Sequence, residues 1–480
     1  MTVAMASFRD PSGRCLLFQG RVLRVVTPQC AAECEAFLQT AAGRDRVAKR
    51  DIIGTRRLGD AEWHALRGHP QVGVILAAMP GCVVFEHERI PFASYPHEWS
   101  PAMLWEAGRL TLDLALAALK EGYALKDASP YNVLFRGSAP VFVDIASFEP
   151  RVPGDSLWLP YAQFVRTFLL PLLAYRHWGL TPPAIFATRR DGLDPSEARR
   201  FCGPFGWLNP RLLSWVFLPT WLAPKARRQG HDLYRPRRVS NPEQAQYIVE
   251  TVLRQLRRAI EAVKPPTRRE SGWSTYMETH SYGEPGFDAK EQFVSEILSE
   301  FRPRRLLDVG ANDGHFSVLS ARFGASVVAV DQDPVCSERL WVKASAERLD
   351  LLPLLMDFAR PSPALGWLNA ECSSFLERAQ GAFDGVLMLA VLHHLLVTER
   401  IPLEQVLRLA AELPTSLLLI EFVAPDDPMF RVLLRGRDAL HAGLNRAAFE
   451  QACALHFEIV RSVDLPGTRR RVYALKRRDV

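Results

Sequence analysis

The stretch Leu306-Leu307-Asp308-Val309-Gly310-Ala311-Asn312-Asp313-Gly314-His315 decides the fold of this chain. A short apolar run carries an acid near its end, two glycines follow within one loop, and a helical pattern begins at once. A strand at 306–309 that turns tightly into a helix at 316–323 is a unit of a parallel α/β sheet. Gly310 and Gly314 let the backbone turn sharply and approach a ligand that a Cβ would repel. The alternation continues on both sides. A helix at 291–300 stops before Pro303, and a β-branched strand follows at 326–330. Further strands are expected at 351–356, 383–389 and 416–422, with helical segments between them. The chain closes on 457–465, a Pro466-Gly467-Thr468 turn and 471–476, which reads as a hairpin and makes the end of the sheet antiparallel.

Ligands of such a sheet sit beyond the carboxyl ends of its strands. The residues there are 308–315, then Asp331-Gln332-Asp333, then Asp357-Phe358. Asp331 stands about 20 residues after the first acid, where a carboxylate can take both hydroxyls of a ribose. The glycine spacing is G-x-x-x-G, not the G-x-G-x-x-G of nicotinamide and flavin sites. Asp308 and Asp313 would repel a pyrophosphate, but they attract an ammonium or a sulfonium. S-adenosylmethionine carries both cations, with a ribose and an adenine. Asp357 is placed to accept from the adenine amino group, with Phe358 beside the ring.

From about 272 to 480 the sequence resembles the class I S-adenosylmethionine-dependent methyltransferases. The segments LLDVGANDGHFSVLSARFGASVVAVDQDP, LPLLMDFARPSPALGW, LMLAVLHHLL and LIEFVAPDDPMF are similar to a bacterial NoeA-like nodulation-protein group. The resemblance implies a Rossmann-like, seven-stranded sheet with a terminal antiparallel hairpin. It also implies that Asp308, Gly310, Asn312 and Gly314 hold the methionine moiety, Asp331 and Gln332 the ribose, and Asp357 and Phe358 the adenine. Leu389 and Ala390 would line the methionyl side. His393 and His394 follow strand four, where an acceptor enters, and a histidine suits the removal of a hydroxyl proton. Glu421, Asp426 and Asp427 are weaker base candidates. Ser281-Tyr282-Gly283 and Lys290 are expected to form a lid.

The chain has 480 residues, too many for one ordinary domain. A Pro265-Pro266 step and a polar run after it divide the chain into 1–267, an α+β domain, and 268–480, the methyltransferase-like domain. The apolar fraction of 48%, the charged fraction of 23% and a mean hydropathy of −0.04 exclude disordered, collagen-like and disulfide-scaffold classes. A net charge of +6 is mild for this length and, with no basic stripe interleaved with aromatics, nucleic acid is disfavoured as a partner. Eight scattered cysteines read as buried thiols of a reducing cytoplasm. No apolar run reaches the ~20 residues of a membrane span. Nothing in the sequence speaks to oligomeric state.

In the first half, 15–18 and 21–26 read as a hairpin, 31–40 as a helix, 72–79 and 82–86 as strands, 101–121 as a helix. Then come Asp127-Ala128-Ser129-Pro130-Tyr131-Asn132 and a hairpin ending at Asp144. This order resembles the catalytic segment of kinase-like phosphotransferases. The resemblance would make Asp127 the group that orients an acceptor hydroxyl and give Asn132 and Asp144 to Mg2+ on the phosphates of ATP. No glycine-rich phosphate loop precedes it, however, and the strand expected to carry a nucleotide lysine reads Val22-Leu23-Arg24-Val25-Val26. A degenerate module that holds the acceptor is the preferred reading. The alternatives are a bifunctional kinase–methyltransferase acting on a cell-surface glycan and a non-catalytic protein that keeps a cofactor-binding fold. The Trp207–Trp221 stretch is expected in the core of the first domain, in preference to peripheral contact with a membrane.

Overall fold

The computed structural model describes residues 4–7, 9–222, 238–266, 284–436, 438–441 and 443–478. The boundary expected near 268 and the lid residues 281–283 lie outside them. The chain divides into two compact units. One comprises Met1–Phe135, Pro140–Pro265 and Ala364–Cys372, the other Arg136–Ala139, Pro266–Pro363 and Ser373–Val480.

The first unit carries strands β1 (Ala4–Ser7), β2 (Gly13–Phe18), β3 (Arg21–Val26), β4 (Thr55–Arg57) and β5 (Val83–His87), joined antiparallel in the order β1-β2-β3-β5-β4. Short pairs follow: β6 (Tyr123–Leu125) with β9 (Phe148–Pro150), and β7 (Val133–Arg136) with β8 (Ala139–Phe142). The helix Pro101–Lys120 starts on a Ser100 cap and crosses the helix Pro242–Glu261 closely at Gly108. A Cβ on Gly108 would stand 2.5 Å from Ile260 Cδ1 and 3.0 Å from the Phe168 ring, so a larger residue would force both side chains to shift.

One expectation for this unit fails and another holds only in part. Residues 72–79 are not a strand, because Pro70–Ala77 is a helix with His69 as its cap and Pro70 at its first position. A short apolar run has no period that separates a buried strand from a helix, and here the start signal decides. The Trp207–Trp221 stretch is core only in part: Leu212, Val216 and Phe217 are buried, but the tryptophans at its ends are not. Trp207 and Trp221 are nearly half exposed, and Phe205 is 72% exposed. Proline interrupts this stretch repeatedly, so no helix is long enough to turn all its apolar side chains inward.

The second unit is one seven-stranded sheet. Its strands are β10 (Arg305–Val309), β11 (Ser326–Asp331), β12 (Leu351–Leu355), β13 (Phe383–Met388), β14 (Pro414–Val423), β15 (Phe457–Asp464) and β16 (Arg470–Arg477). They lie in the order β12-β11-β10-β13-β14-β16-β15, parallel throughout except for β16, which runs antiparallel to both neighbours. The order reverses at β10, which places a crevice beyond the carboxyl ends of β10 and β13. The central strands β10 and β13 are buried on both faces, as helix-covered parallel strands require. Pro353 sits in β12, an edge strand, where the missing N–H need not break a ladder. Among the described residues no helix is long and apolar enough to cross a membrane.

Candidate active site

A cavity of about 580 Å³ opens at that crevice. It is lined by Asp308, Gly310, Asn312, Asp331, Gln332, Asp357, Phe358 and Leu389, which is every expected cofactor residue except Gly314. The loop after β10 shows why these side chains converge. Gly310 sits at φ +71°, and its N–H and that of Ala311 both donate to Val330 O, at 2.9 and 3.1 Å, which folds the loop back over β11. Asn312 also has a left-handed backbone, a conformation asparagine tolerates, and its N–H donates to Asp331 Oδ2 at 2.7 Å. Gly314 serves packing instead. At φ +82°, a Cβ there would stand 2.1 Å from Leu340 Cδ1.

The carboxylates differ in environment. Asp308 is buried at the end of β10 and accepts from Ser317 Oγ at 2.6 Å. Burial pushes its pKa up to about 6 against the opposing effects of Ser317 and Lys290. Asp331 accepts the N–H groups of Asn312 and Asp333, one on each oxygen, yet burial again dominates and raises it to about 6. Asp357 accepts from Ala359 N–H at 2.9 Å and pairs with Arg360 at 2.8 Å. Raised carboxyl groups facing a cavity favour a cationic ligand, which would restore their charge.

The two histidines part company. His394 lines the cavity, whereas His393 is buried beneath it, ring centroids 4.2 Å apart, with Nδ1 lacking a hydrogen-bond partner among the described residues. Burial first, and then the nearby Arg470 charge, lowers His394 to about 4. His393 lies well below its ordinary range for the same first reason. Both are neutral imidazoles at physiological pH.

Lys290, on the helix Glu284–Phe301, also lines the cavity. Its Nζ donates to Glu421 Oε2 at 2.6 Å, and Glu421 meets Arg470 at 3.4 Å. Arg470 in turn holds Asp427 through two bonds, 2.9 and 3.2 Å. Two cations and two anions thus form a buried, neutral network between this helix, β14 and β16. Glu421 and Asp427 are committed to this network and do not line the cavity; Asp426 pairs with Arg469 at the surface. Phe287, Arg400 and Arg435 line the cavity without having been singled out, since neither periodicity nor motif marks them.

In the first unit the structure gathers Asp127, Asn132 and Asp144. Asn132 Nδ2 donates to Asp127 Oδ2 at 3.2 Å, and Ser147 Oγ donates to Asp144 Oδ2 at 2.5 Å. The other Asp144 oxygen faces the Arg24 guanidinium at 2.7 Å. This does not fit a Mg2+ site: a guanidinium and a hydroxyl fill the acceptor positions that a hard cation needs. Among the described residues no cluster of three or more His, Cys, Asp or Glu side chains is arranged to hold a metal. The expected Mg2+ and ATP therefore find no support here.

Residues 282–455 match the Methyltransferase domain family. Over 475 residues the chain is 30% identical to the nodulation protein NoeA of Rhizobium meliloti (strain 1021), covering 98% of this chain and 96% of the relative. Among solved structures, the N-methyltransferase NodS from Bradyrhizobium japonicum WM9 is 11% identical, with a TM-score of 0.31 over 41% of this chain and 98% of its own. The magnesium protoporphyrin IX methyltransferase ChlM from Synechocystis PCC 6803 is 16% identical, with a TM-score of 0.30 over 44% of this chain and 86% of its own. The alignment to NoeA runs almost end to end, and the methyltransferase match lies over the strands that build the cavity: the chain belongs to the NoeA family of nodulation proteins and is an S-adenosylmethionine-dependent methyltransferase.

Proposed function

We propose that the cavity holds S-adenosylmethionine with its ammonium and sulfonium toward Asp308, its ribose on Asp331 and Gln332, and its adenine between Asp357 and Phe358. The acceptor is a hydroxyl of a saccharide or a small metabolite, and the first unit serves to hold it. The bound cofactor supplies an already activated methyl group, so the protein's work is alignment and proton removal.

His394 carries this reading. It lines the cavity close in sequence to Leu389 and Ala390, and it is a neutral imidazole, the form that can take a proton from an acceptor O–H. His315 also lines the cavity, with its Nε2 beside Glu291 at 2.9 Å.

The test incubates a fractionated cell extract with methyl-labelled cofactor. Label is expected in a periodate-sensitive carbohydrate fraction, and His394→Ala should lower the rate by roughly 10²- to 10⁴-fold with cofactor affinity retained. Label confined to protein or nucleic acid, or an unchanged rate in the variant, would overturn the proposal.

A further inference from the structure

Large apolar side chains gather on the surface of the first unit between residues 201 and 222. Phe201, Phe205, Trp207, Leu208, Trp221 and Leu222 are all exposed, the least exposed of them, Trp207, at 45%. They belong to one folded patch. Gly206 packs against Cys202 and the Phe217 ring so closely that a Cβ would come within 2.9 Å of Cys202 Cβ. The Phe217 and Trp221 rings are 5.6 Å apart, edge to face, and Phe201 lies 5.6 Å from Trp178. At roughly half exposure each, these side chains leave on the order of 700 Å² of apolar surface in water, more than the few hundred Å² usual for a monomer.

Along the sequence the charge within the patch has one sign. From Ala198 to His231 the sequence holds no Asp or Glu, while Arg199, Arg200 and Arg211 stand among the aromatics. The Arg199 guanidinium lies over the Phe217 ring at 5.7 Å. Arg200 and Arg211 have no carboxylate partner among the described residues. Tryptophan and phenylalanine beside unpaired arginines match the boundary between lipid headgroups and acyl chains. There the rings enter the apolar edge and the guanidinium groups meet anionic headgroups. With no helix that could span a bilayer among the described residues, the contact is interfacial.

We propose that this patch docks the protein on membrane surfaces that carry anionic lipid. The test sediments the full chain with vesicles of phosphatidylcholine and of phosphatidylcholine mixed with phosphatidylglycerol. Binding to the mixed vesicles should be about tenfold tighter or more, and should weaken as salt rises. Phe205→Glu with Leu208→Glu should cut that binding at least about tenfold, with the thermal melt and cofactor titration unchanged. Arg200→Glu with Arg211→Glu should remove the preference for anionic vesicles. Absence of vesicle binding by the wild-type chain, or equal binding by the Phe205/Leu208 variant, overturns the proposal. So does a dimer that the same variant dissolves while vesicles bind neither protein. The cofactor titration is separate, so failure here leaves the methyl-transfer reading untouched.

Discussion

Raising the pH from 5 to 7 should tighten the binding of S-adenosylmethionine by about tenfold for each buried carboxyl group that the cofactor recharges. Asp308 and Asp331 both have pKa values raised to about 6 by burial. At pH 5 such a group is roughly 90% protonated and at pH 7 roughly 90% ionised. If the bound state requires the carboxylate, its free energy of preparation falls by about 1.4 kcal/mol across that window. The two groups repel one another, so together they give less than the hundredfold of independent sites. The sign is definite. A carboxyl raised in the folded state makes the free protein lose stability as pH rises from about 4 to about 6, since the native form binds more protons there. A cation beside Asp308 reverses that preference, so binding must release protons. Calorimetric titration at pH 6 in two buffers of different ionisation enthalpy measures this release directly. Flat affinity between pH 5 and 7, or net proton uptake, would refute the placement of the cofactor's charges beside Asp308.

Gly314→Ala should lower the thermal midpoint, with a loss of about 1–3 kcal/mol in denaturant titration, because its Cβ meets Leu340 and its φ is left-handed. Glu421→Gln should cost about 3–5 kcal/mol, since it removes the buried carboxylate that pairs with both Lys290 and Arg470. An unchanged urea midpoint in that variant would show that the network contributes nothing to holding the sheet.

The second unit was legible because its signals are local. Asp308, Gly310 and Asp331 each sit where an apolar strand stops, and a parallel sheet brings successive strand ends to one edge without any long-range information. The hairpin at Pro466–Thr468 announced itself by turn chemistry. What stayed hidden depends on rotation or on distance in sequence. His393 and His394 are adjacent, and only the phase of the turn after β13 decides which ring meets the cavity. The Lys290–Glu421–Arg470–Asp427 network joins residues as much as 180 positions apart. Trp207 and Trp221 looked like core because composition reports apolar area, not the direction in which it faces. Asp127, Asn132 and Asp144 do come together, but the Arg24 guanidinium that takes up Asp144 could not be paired with it from spacing alone.

The central claim is that the cavity at the ends of β10, β11 and β13 is the cofactor site. Calorimetric titration of S-adenosylmethionine into the wild-type chain and into Asp331→Ala tests it most directly. Binding at one site per chain in the wild type, with loss of about tenfold or more in the variant and an unchanged circular dichroism spectrum, is the predicted result. No binding by the wild type at millimolar cofactor, or equal affinity in both proteins, would contradict the account.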